Sequence, residues 1–380
     1  MIIAFLVVKN ILRGGGIEKY TYELGSRLVD RGHQVTVYSM THYGQTTASI
    51  NGMKIISVYS LAKPCLQKMT ASFSAALDIL RLHSYDIVHL HSVASGAFGF
   101  FPRLKGIKTV LQMHGIEWQR SRWGKKGSII LKLLEKMAVR QAVAISAVSR
   151  RQCAYFREQY DCNVEYIPTA TIIPRRMAPN NILKRGLVPG RYFLFTSRLV
   201  HEKGVHTLIK AFKQIKTNMR LVIAGDCDGG EIYKHQLWDL AYGDDRIIFT
   251  GYIEGELLAE LFSNAYVYVQ PSTVEGLSIA LLEAMSYGRC CLVSDIPENL
   301  EPLDGTGYSF RVNSVQDLGT KLRWLLENPH HVHSVGAKAM EHVRSEYSWD
   351  FVTDKMEDFY HRTLSGDISV RIKAKSAVSH

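Results

Sequence analysis

The chain has 380 residues with 46 Lys+Arg against 35 Asp+Glu, a formal net charge of +11; that length is too great for one ordinary core and suits two domains of ~150–200 residues each. Apolar residues make up 46% and charged residues 21%, without a low-complexity tract, which excludes a disordered chain. No apolar run reaches the ~18–20 residues needed to cross a bilayer. The charge is uneven. Residues 1–180 carry 24 Lys+Arg against 10 Asp+Glu, a net of +14, and residues 181–380 carry 22 against 25, a net of −3. The first half is therefore expected to meet something anionic: a phosphorylated small molecule, a membrane surface or a nucleic acid. A nucleic acid is set aside, because no helix-turn-helix, finger or RNA-binding signature occurs.

Taken in order, residues 2–8 form an apolar run that reads as a buried first strand; it lacks the basic start and small-residue cleavage site of a signal peptide, so a cytoplasmic location is expected. A glycine turn, Gly14-Gly15-Gly16, opens a helical pattern with Tyr20, Leu24 and Leu28 on one face. Strand patterns follow at 34–38, 54–59, 85–91 and 108–115, then a long basic helix ending near residue 141, and strands at 143–148 and 165–168. This β-α-β rhythm predicts a doubly wound parallel sheet with ligands at the carboxyl ends of its strands.

Residues 173–190, with Pro174, Pro179, Pro189 and Asn180-Asn181, read as a linker. The rhythm then restarts with strands at 191–196, 220–224, 246–250, 265–270 and 290–294, and helices at 206–215, 256–264, 317–326 and 330–344. A domain over 1–172 and a second over 191–347 are expected, with a last helix over 348–365 packing back toward the first domain and a mobile tail from 366. Two open sheets in tandem would leave a cleft between them.

The six cysteines form no C-x-x-C pair, and the His330-His331-x-His333 cluster reads as a solvated loop, so no metal site is expected. Four stretches could carry chemistry. The glycine turn around Gly15 and Gly16 is neither a dinucleotide fingerprint nor a Walker loop, and it fits an unoccupied tight turn as well as a phosphate site at a helix N-terminus. His114 ends a strand, with His91 ending its neighbour; a lone histidine there is more often structural than catalytic. Arg198 and Lys203 stand at a strand end, where a guanidinium fork and an ammonium together suit a diphosphate and can take the place of a divalent metal. In residues 271–288, Glu275 and Glu283 are eight apart; one continuous helix would set them ~80° apart. With Glu275 in a loop and Glu283 in the helix after it, both can approach a ligand. Gly276 permits close backbone approach, and the N–H groups of Leu277 and Ser278 can receive an anion. On spacing alone the same stretch also fits an ordinary crossover.

In combination these stretches resemble the retaining glycosyltransferases of family 4, with the GT-B fold. The resemblance runs through Gly14-Gly15-Gly16-Ile17-Glu18, His114-Gly115, Ser197-Arg198 with Lys203-Gly204, Phe249-Thr250-Gly251, Pro271-Ser272 and the E-x7-E pair Glu275 and Glu283. It implies two Rossmann-like domains facing a cleft, and metal-independent transfer from a nucleotide sugar with retained configuration. Carried over, Arg198 and Lys203 hold the donor diphosphate, Glu283 the ribose, Glu275 the donor sugar hydroxyls and His114 the sugar from the opposite domain; Gly15 and Gly16 leave room for phosphate or acceptor. Two positions depart from the family pattern: Thr169-Ala170-Thr171-Ile172 replaces its Asn-Gly-Val/Ile-Asp, and Ser278 stands where Gly or Pro is common.

The stretch from Arg120 to Arg140 is expected to meet an anionic membrane. Ile130, Leu133, Leu134, Met137 and Ala138 make one helix face, and Lys132, Lys136 and Arg140 make a basic stripe. The same pattern fits a helix packed on its own sheet. The leading expectation is a glycosyltransferase using a UDP-sugar, with GDP-mannose and dTDP-rhamnose as other donors and a lipid-linked saccharide as acceptor. A soluble small-molecule acceptor, a nucleotide-sugar 2-epimerase and a non-catalytic sugar-nucleotide-binding protein are the alternatives.

Overall fold

The apolar runs become the strands of two separate sheets. A computed structural model describes residues 1–12, 15–44, 48–63, 66–82, 84–119, 123–227 and 231–368. The first sheet comprises β1 (Ile2–Val8), β2 (Gln34–Met40), β3 (Ser49–Ile50), β4 (Met53–Val58), β5 (Ile87–Leu90), β6 (Lys108–Met113), β7 (Ala144–Ala147) and β8 (Glu165–Tyr166). Its order is β3-β4-β2-β1-β5-β6-β7-β8. All pairs are parallel except the short β3 hairpin onto β4. Strands β5 and β7 are buried along their whole length, as a parallel sheet covered on both faces requires.

The second sheet comprises β9 (Tyr192–Thr196), β10 (Arg220–Ala224), β11 (Ile247–Gly251), β12 (Val267–Gln270), β13 (Cys290–Ser294) and β14 (Tyr308–Phe310). Its order is β11-β10-β9-β12-β13-β14, and every pair is parallel. Strand order reverses direction at β1/β5 in the first sheet and at β9/β12 in the second. In an open parallel sheet the carboxyl ends at such a reversal form a crevice, because the two flanking loops leave on opposite faces. The glycine turn and His91 follow β1 and β5; Ser197-Arg198 and residues 271–278 follow β9 and β12. The sequence motifs therefore stand at the two switch points.

The chain divides into two units, Ala170–Ser348 and the residues on either side of it. Residues 173–190 are thus part of the second unit and not a linker. Ile182 is fully buried, and Glu260 accepts from the Asn181 backbone at 2.7 Å, its side chain at 2.8 Å and the Ile182 backbone at 3.1 Å. Proline-rich chain without periodicity still packs where its N–H groups find an acceptor. The helix Trp349–Ser365 belongs to the first unit. Arg31 of the helix Gly16–Asp30 pairs with its Asp354 at 2.6 Å and Glu357 at 2.7 Å, and Trp349, Met356 and Tyr360 are buried. The tail beyond Ile368 lies outside the described residues.

Two expectations are corrected. His330, His331 and His333 occupy the first turn of the helix Pro329–Glu346, not a loop, with Pro329 at its start and Val332 buried; Pro suits that position because its missing N–H would have no helical acceptor. The basic helix, Gly124–Gln141, buries Leu131, Glu135, Ala138 and Val139. Of the expected apolar face only Ala138 is buried and Leu134 half-buried, while Ile130, Leu133 and Met137 are exposed beside Ile129. Periodicity identifies an apolar stripe but not which side of the helix the sheet takes. Among the described residues, no helix is long and apolar enough to cross a membrane.

Candidate active site

In the second unit the loop leaving β9 is held between the exits of its two neighbours by a pair of close backbone approaches. Gly225 has φ +144°, and a Cβ there would stand 1.8 Å from the Ser197 carbonyl oxygen. Gly204 has φ +68°, and a Cβ there would stand 2.0 Å from the Pro271 carbonyl oxygen. Only glycine fits either place. The Thr273 N–H donates to the Glu202 carbonyl at 2.8 Å, which ties the loop carrying Lys203 to the loop carrying Glu275.

Lys203 Nζ donates to Glu275 Oε1 at 2.6 Å, with the two side chains 16% and 8% exposed. The two motifs, 72 residues apart in the chain, thus form one nearly buried ion pair. An ammonium has three N–H donors and spends one on Glu275, so two remain for a phosphate. Arg198 is exposed, with no ion-pair partner among the described residues. The helix after the loop, Ile279–Ser286, begins after its N-cap Ser278 and carries Glu283. The hydroxyl of the buried Tyr268 is pushed well up, by burial first, and the negative charges of Glu275 and Glu283 add to the shift, so both carboxylates act on one buried phenol.

The structure gives Ser278 a supporting role. Its Oγ accepts from the Leu281 N–H at 3.3 Å and donates to Gln270 Oε1 at 2.7 Å, so the hydroxyl is used within the protein. The glycine or proline common at this position is replaced by a residue that caps the helix and anchors it to β12. Sequence reasoning missed the rest of that anchor. Gln270 Nε2 donates to Asn299 Oδ1 at 2.6 Å, Asn299 Nδ2 donates to Ser294 Oγ at 2.9 Å, and Ser294 Oγ donates to the Ser272 carbonyl. Gln270, Asn299 and Ser294 are all buried. Their only signal in the sequence is a polar residue closing each of two apolar strands, Gln270 and Ser294. The hydroxyls of Thr196 and Ser272, buried at the exits of β9 and β12, have no hydrogen-bond partner among the described residues.

In the first unit Gly15 is the N-cap of the helix Gly16–Asp30 and Gly16 its exposed first residue; Gly14 lies outside the described residues. A Cβ on Gly15 would stand 2.2 Å from Glu18 Oε2, and Glu18 Oε1 accepts from the Lys9 N–H at 3.1 Å. The room left by Gly15 is therefore filled by the Glu18 carboxylate, at a helix N-terminus that favours negative charge. An incoming phosphate would have to displace it.

His114, half-buried after β6, stands in a group of aromatic and imidazole rings. Its Nε2 lies 3.2 Å from His91 Nδ1, and Tyr20 meets it edge-on with ring centres 5.1 Å apart. His91 Nε2 lies 3.0 Å from Thr21 Oγ1, and His89 lies between Tyr360 OH at 2.6 Å and Gln112 Oε1 at 3.1 Å. Burial, then Lys68 nearby, pushes the His114 imidazole down to about 3. Burial, together with repulsion from His114 whenever that ring is protonated, does the same to His89, and His91 is driven well down by burial and its two neighbours. All three rings are neutral near pH 7, and a neutral imidazole both donates and accepts.

Two family sequence models divide the chain at nearly the same place. Glycosyltransferase Family 4 matches residues 14–171, and glycosyl transferases group 1 matches residues 184–342. The chain belongs to the family 4 glycosyltransferases. The transferase is 28% identical over 94% of its length and 97% of the relative's to a GDP-mannose-dependent alpha-(1-6)-phosphatidylinositol monomannoside mannosyltransferase of Mycobacterium tuberculosis. It is 25% identical to the phosphatidylinositol N-acetylglucosaminyltransferase gpi3 subunit of Schizosaccharomyces pombe, over 92% of its own length and 78% of that chain's. The solved structure of Anabaena HepE in complex with UDP-glucose matches it with a TM-score of 0.80 and 16% identity, over 95% of the transferase and 99% of that chain. The fold is GT-B.

Proposed function

We propose that the transferase moves a sugar from a nucleotide sugar to a lipid-linked acceptor, with retention of configuration and without a metal ion. The observation that carries this reading is the Lys203–Glu275 pair at the second sheet's switch point, with Lys203 on the same β9 exit loop as Arg198. As the glycosyl bond breaks, positive charge grows on the sugar and negative charge on the leaving diphosphate. Arg198, the spare donors of Lys203 and the backbone N–H groups of Gly276, Leu277 and Ser278 supply preorganised positive potential for the diphosphate, the work a divalent ion does elsewhere. Glu275, held in place by Lys203, takes sugar hydroxyls; Glu283 takes the ribose; His114 takes a further sugar hydroxyl; Gly15 and Gly16 admit phosphate or acceptor once Glu18 swings aside.

UDP-sugar is the default donor. HepE has been solved with UDP-glucose, and the mycobacterial relative is named for GDP-mannose, so both bases enter the test. The melting point is measured with UDP, GDP, ADP and dTDP; the correct base raises it most, since a ligand bound only by the native state stabilises that state. Glu275→Ala and Lys203→Ala are each expected to reduce transfer at least about 100-fold while circular dichroism stays native. Near-normal turnover in both variants refutes the site. Epimerised nucleotide sugar formed without any acceptor would instead favour the epimerase.

The lipid acceptor is supported by the two relatives, both named for phosphatidylinositol substrates, and by the exposed face of the helix Gly124–Gln141. Ile129, Ile130, Leu133 and Met137 are 61%, 57%, 60% and 46% exposed, and Lys125, Lys126, Lys132, Lys136 and Arg140 are exposed around them. Lys132 rests over the Trp118 ring at 4.0 Å. Apolar side chains framed by cations suit the boundary of an anionic bilayer. Charge reversal of Lys132, Lys136 and Arg140 is expected to abolish binding to vesicles of phosphatidylglycerol and phosphatidylcholine, and unchanged binding overturns the membrane reading.

A further inference from the structure

The first helix carries a hydroxyl at an unusual place: Thr21, fully buried, with its Oγ1 in contact with both the Ile17 carbonyl at 2.8 Å and His91 Nε2 at 3.0 Å. A hydroxyl has one proton. The carbonyl can only accept, so that proton goes to Ile17, and the Thr21 oxygen must accept from His91 Nε2–H. A neutral His91 protonated at Nε2 has a bare Nδ1, and that nitrogen lies 3.2 Å from His114 Nε2. For the contact to be a hydrogen bond, His114 must donate from Nε2, which leaves its own Nδ1 bare. The ring planes are held by stacking of Phe5 on His91, with centres 5.4 Å apart and planes 6° apart, and by Tyr20 edge-on to both imidazoles.

We propose that Thr21 and His91 are positioning residues that hold His114 in the Nε2-protonated tautomer, so that it presents Nδ1 as a hydrogen-bond acceptor. The ligand group that His114 takes is then a donor, such as a sugar hydroxyl, and not a phosphate or carboxylate oxygen. The functional consequence rests on the proposed role of His114 in sugar binding; the tautomer does not. The relay starts on the helix opened by Gly15 and Gly16 and ends on the strand exit of β6, so two stretches that the sequence leaves unconnected act on one nitrogen. The groups facing the relay are Lys68, Glu117 and His89.

The test is ¹⁵N imidazole NMR of the free protein at neutral pH, which reports which nitrogen carries the proton. In the wild type His114 is expected to show a bare Nδ1 and a protonated Nε2. Thr21→Ser keeps the hydroxyl and keeps this pattern. Thr21→Val keeps the shape, removes the acceptor from His91 Nε2–H and yields a mixture of tautomers at His91 and His114. His91→Phe frees His114 in the same way. A wild-type His114 protonated at Nδ1, or a pattern unmoved by Thr21→Val and by His91→Phe, overturns the proposal. Transfer assays then separate the two readings: Thr21→Val is expected to lower kcat/KM about tenfold, the worth of one well-placed hydrogen bond, with Thr21→Ser restoring it. Tautomers that shift while transfer stays normal would leave the relay standing and remove His114 from sugar binding.

Discussion

Replacing Gly204 by alanine should damage the second unit through a single methyl group, because it forces the Lys203 loop off Pro271. At φ +68° an alanine pays the left-handed penalty, about 1–2 kcal/mol. Its Cβ would also stand 2.0 Å from the Pro271 carbonyl oxygen and 2.9 Å from the carbonyl carbon, both backbone atoms with no rotamer to yield. Overpacking of this kind adds ~1–3 kcal/mol. Gly190 provides the control, because its φ is +70° and nothing lies within 4 Å of an added Cβ; Gly190→Ala meets the strain without the clash. For a domain of ~150–250 residues, 1 kcal/mol moves the melting point ~2–4 °C. Calorimetry should therefore place the second unit of Gly204→Ala ~2–12 °C below that of Gly190→Ala. The separation of the two loops by an ångström should also cost transfer about 100-fold, since Lys203 and Glu275 no longer meet. Equal melting points for the two alanines together with normal turnover would refute the idea that this approach braces the site.

Asn299→Ala strips partners from Gln270 Nε2 and Ser294 Oγ at once; a loss of ~2–3 kcal/mol in urea denaturation is expected, with a fall in kcat although Asn299 is given no contact with substrate. Glu135 is buried and its Oε1 accepts from Tyr155 OH and Tyr160 OH, each at 2.7 Å. Burial raises its carboxyl above the ordinary value of 4.5. A raised carboxyl favours the fold while protonated and loses that contribution as pH climbs through the folded-state value. The melting-point advantage of the wild type over Glu135→Gln should therefore shrink as the pH climbs above the ordinary carboxyl value of 4.5, and a constant difference would contradict it. Serine at Ile129, Leu133 and Met137 should leave the melting point within ~1 °C, since exposed positions contribute little, while weakening vesicle binding; a large fall in melting point would mean that the face is packed.

The sheets were legible in the sequence because short, largely apolar stretches such as Ile2–Val8 and Tyr192–Thr196 alternate with helical patterns. The Arg198, Lys203 and Glu275 motifs were legible because each follows a strand end. What escaped depends on contacts between distant positions. The proline pattern of residues 173–190 reads as irregular chain, but nothing in it reveals that Glu260 will satisfy its N–H groups. The stripe of Ile130, Leu133 and Met137 is visible, yet only packing decides that Leu131, Glu135 and Ala138 are the residues buried. Thr21 and His91 look like ordinary members of a helix and a strand, 70 residues apart, until the fold sets them in contact.

The first unit's last helix has a consequence for how the chain is made. Residues 1–169 emerge from the ribosome with Tyr20 and His89 still lacking Trp349 and Tyr360, the latter 271 residues downstream of His89. The second unit, by contrast, is continuous, and its two ends are joined by the Thr171 N–H donating to the Tyr347 carbonyl at 2.9 Å. Vectorial synthesis therefore lets the later unit finish first and obliges the earlier one to wait, half-covered, for the helix that completes it. A stop codon just after Ser348 would spare every proposed donor contact of the second unit yet leave the histidine cluster of the first uncovered.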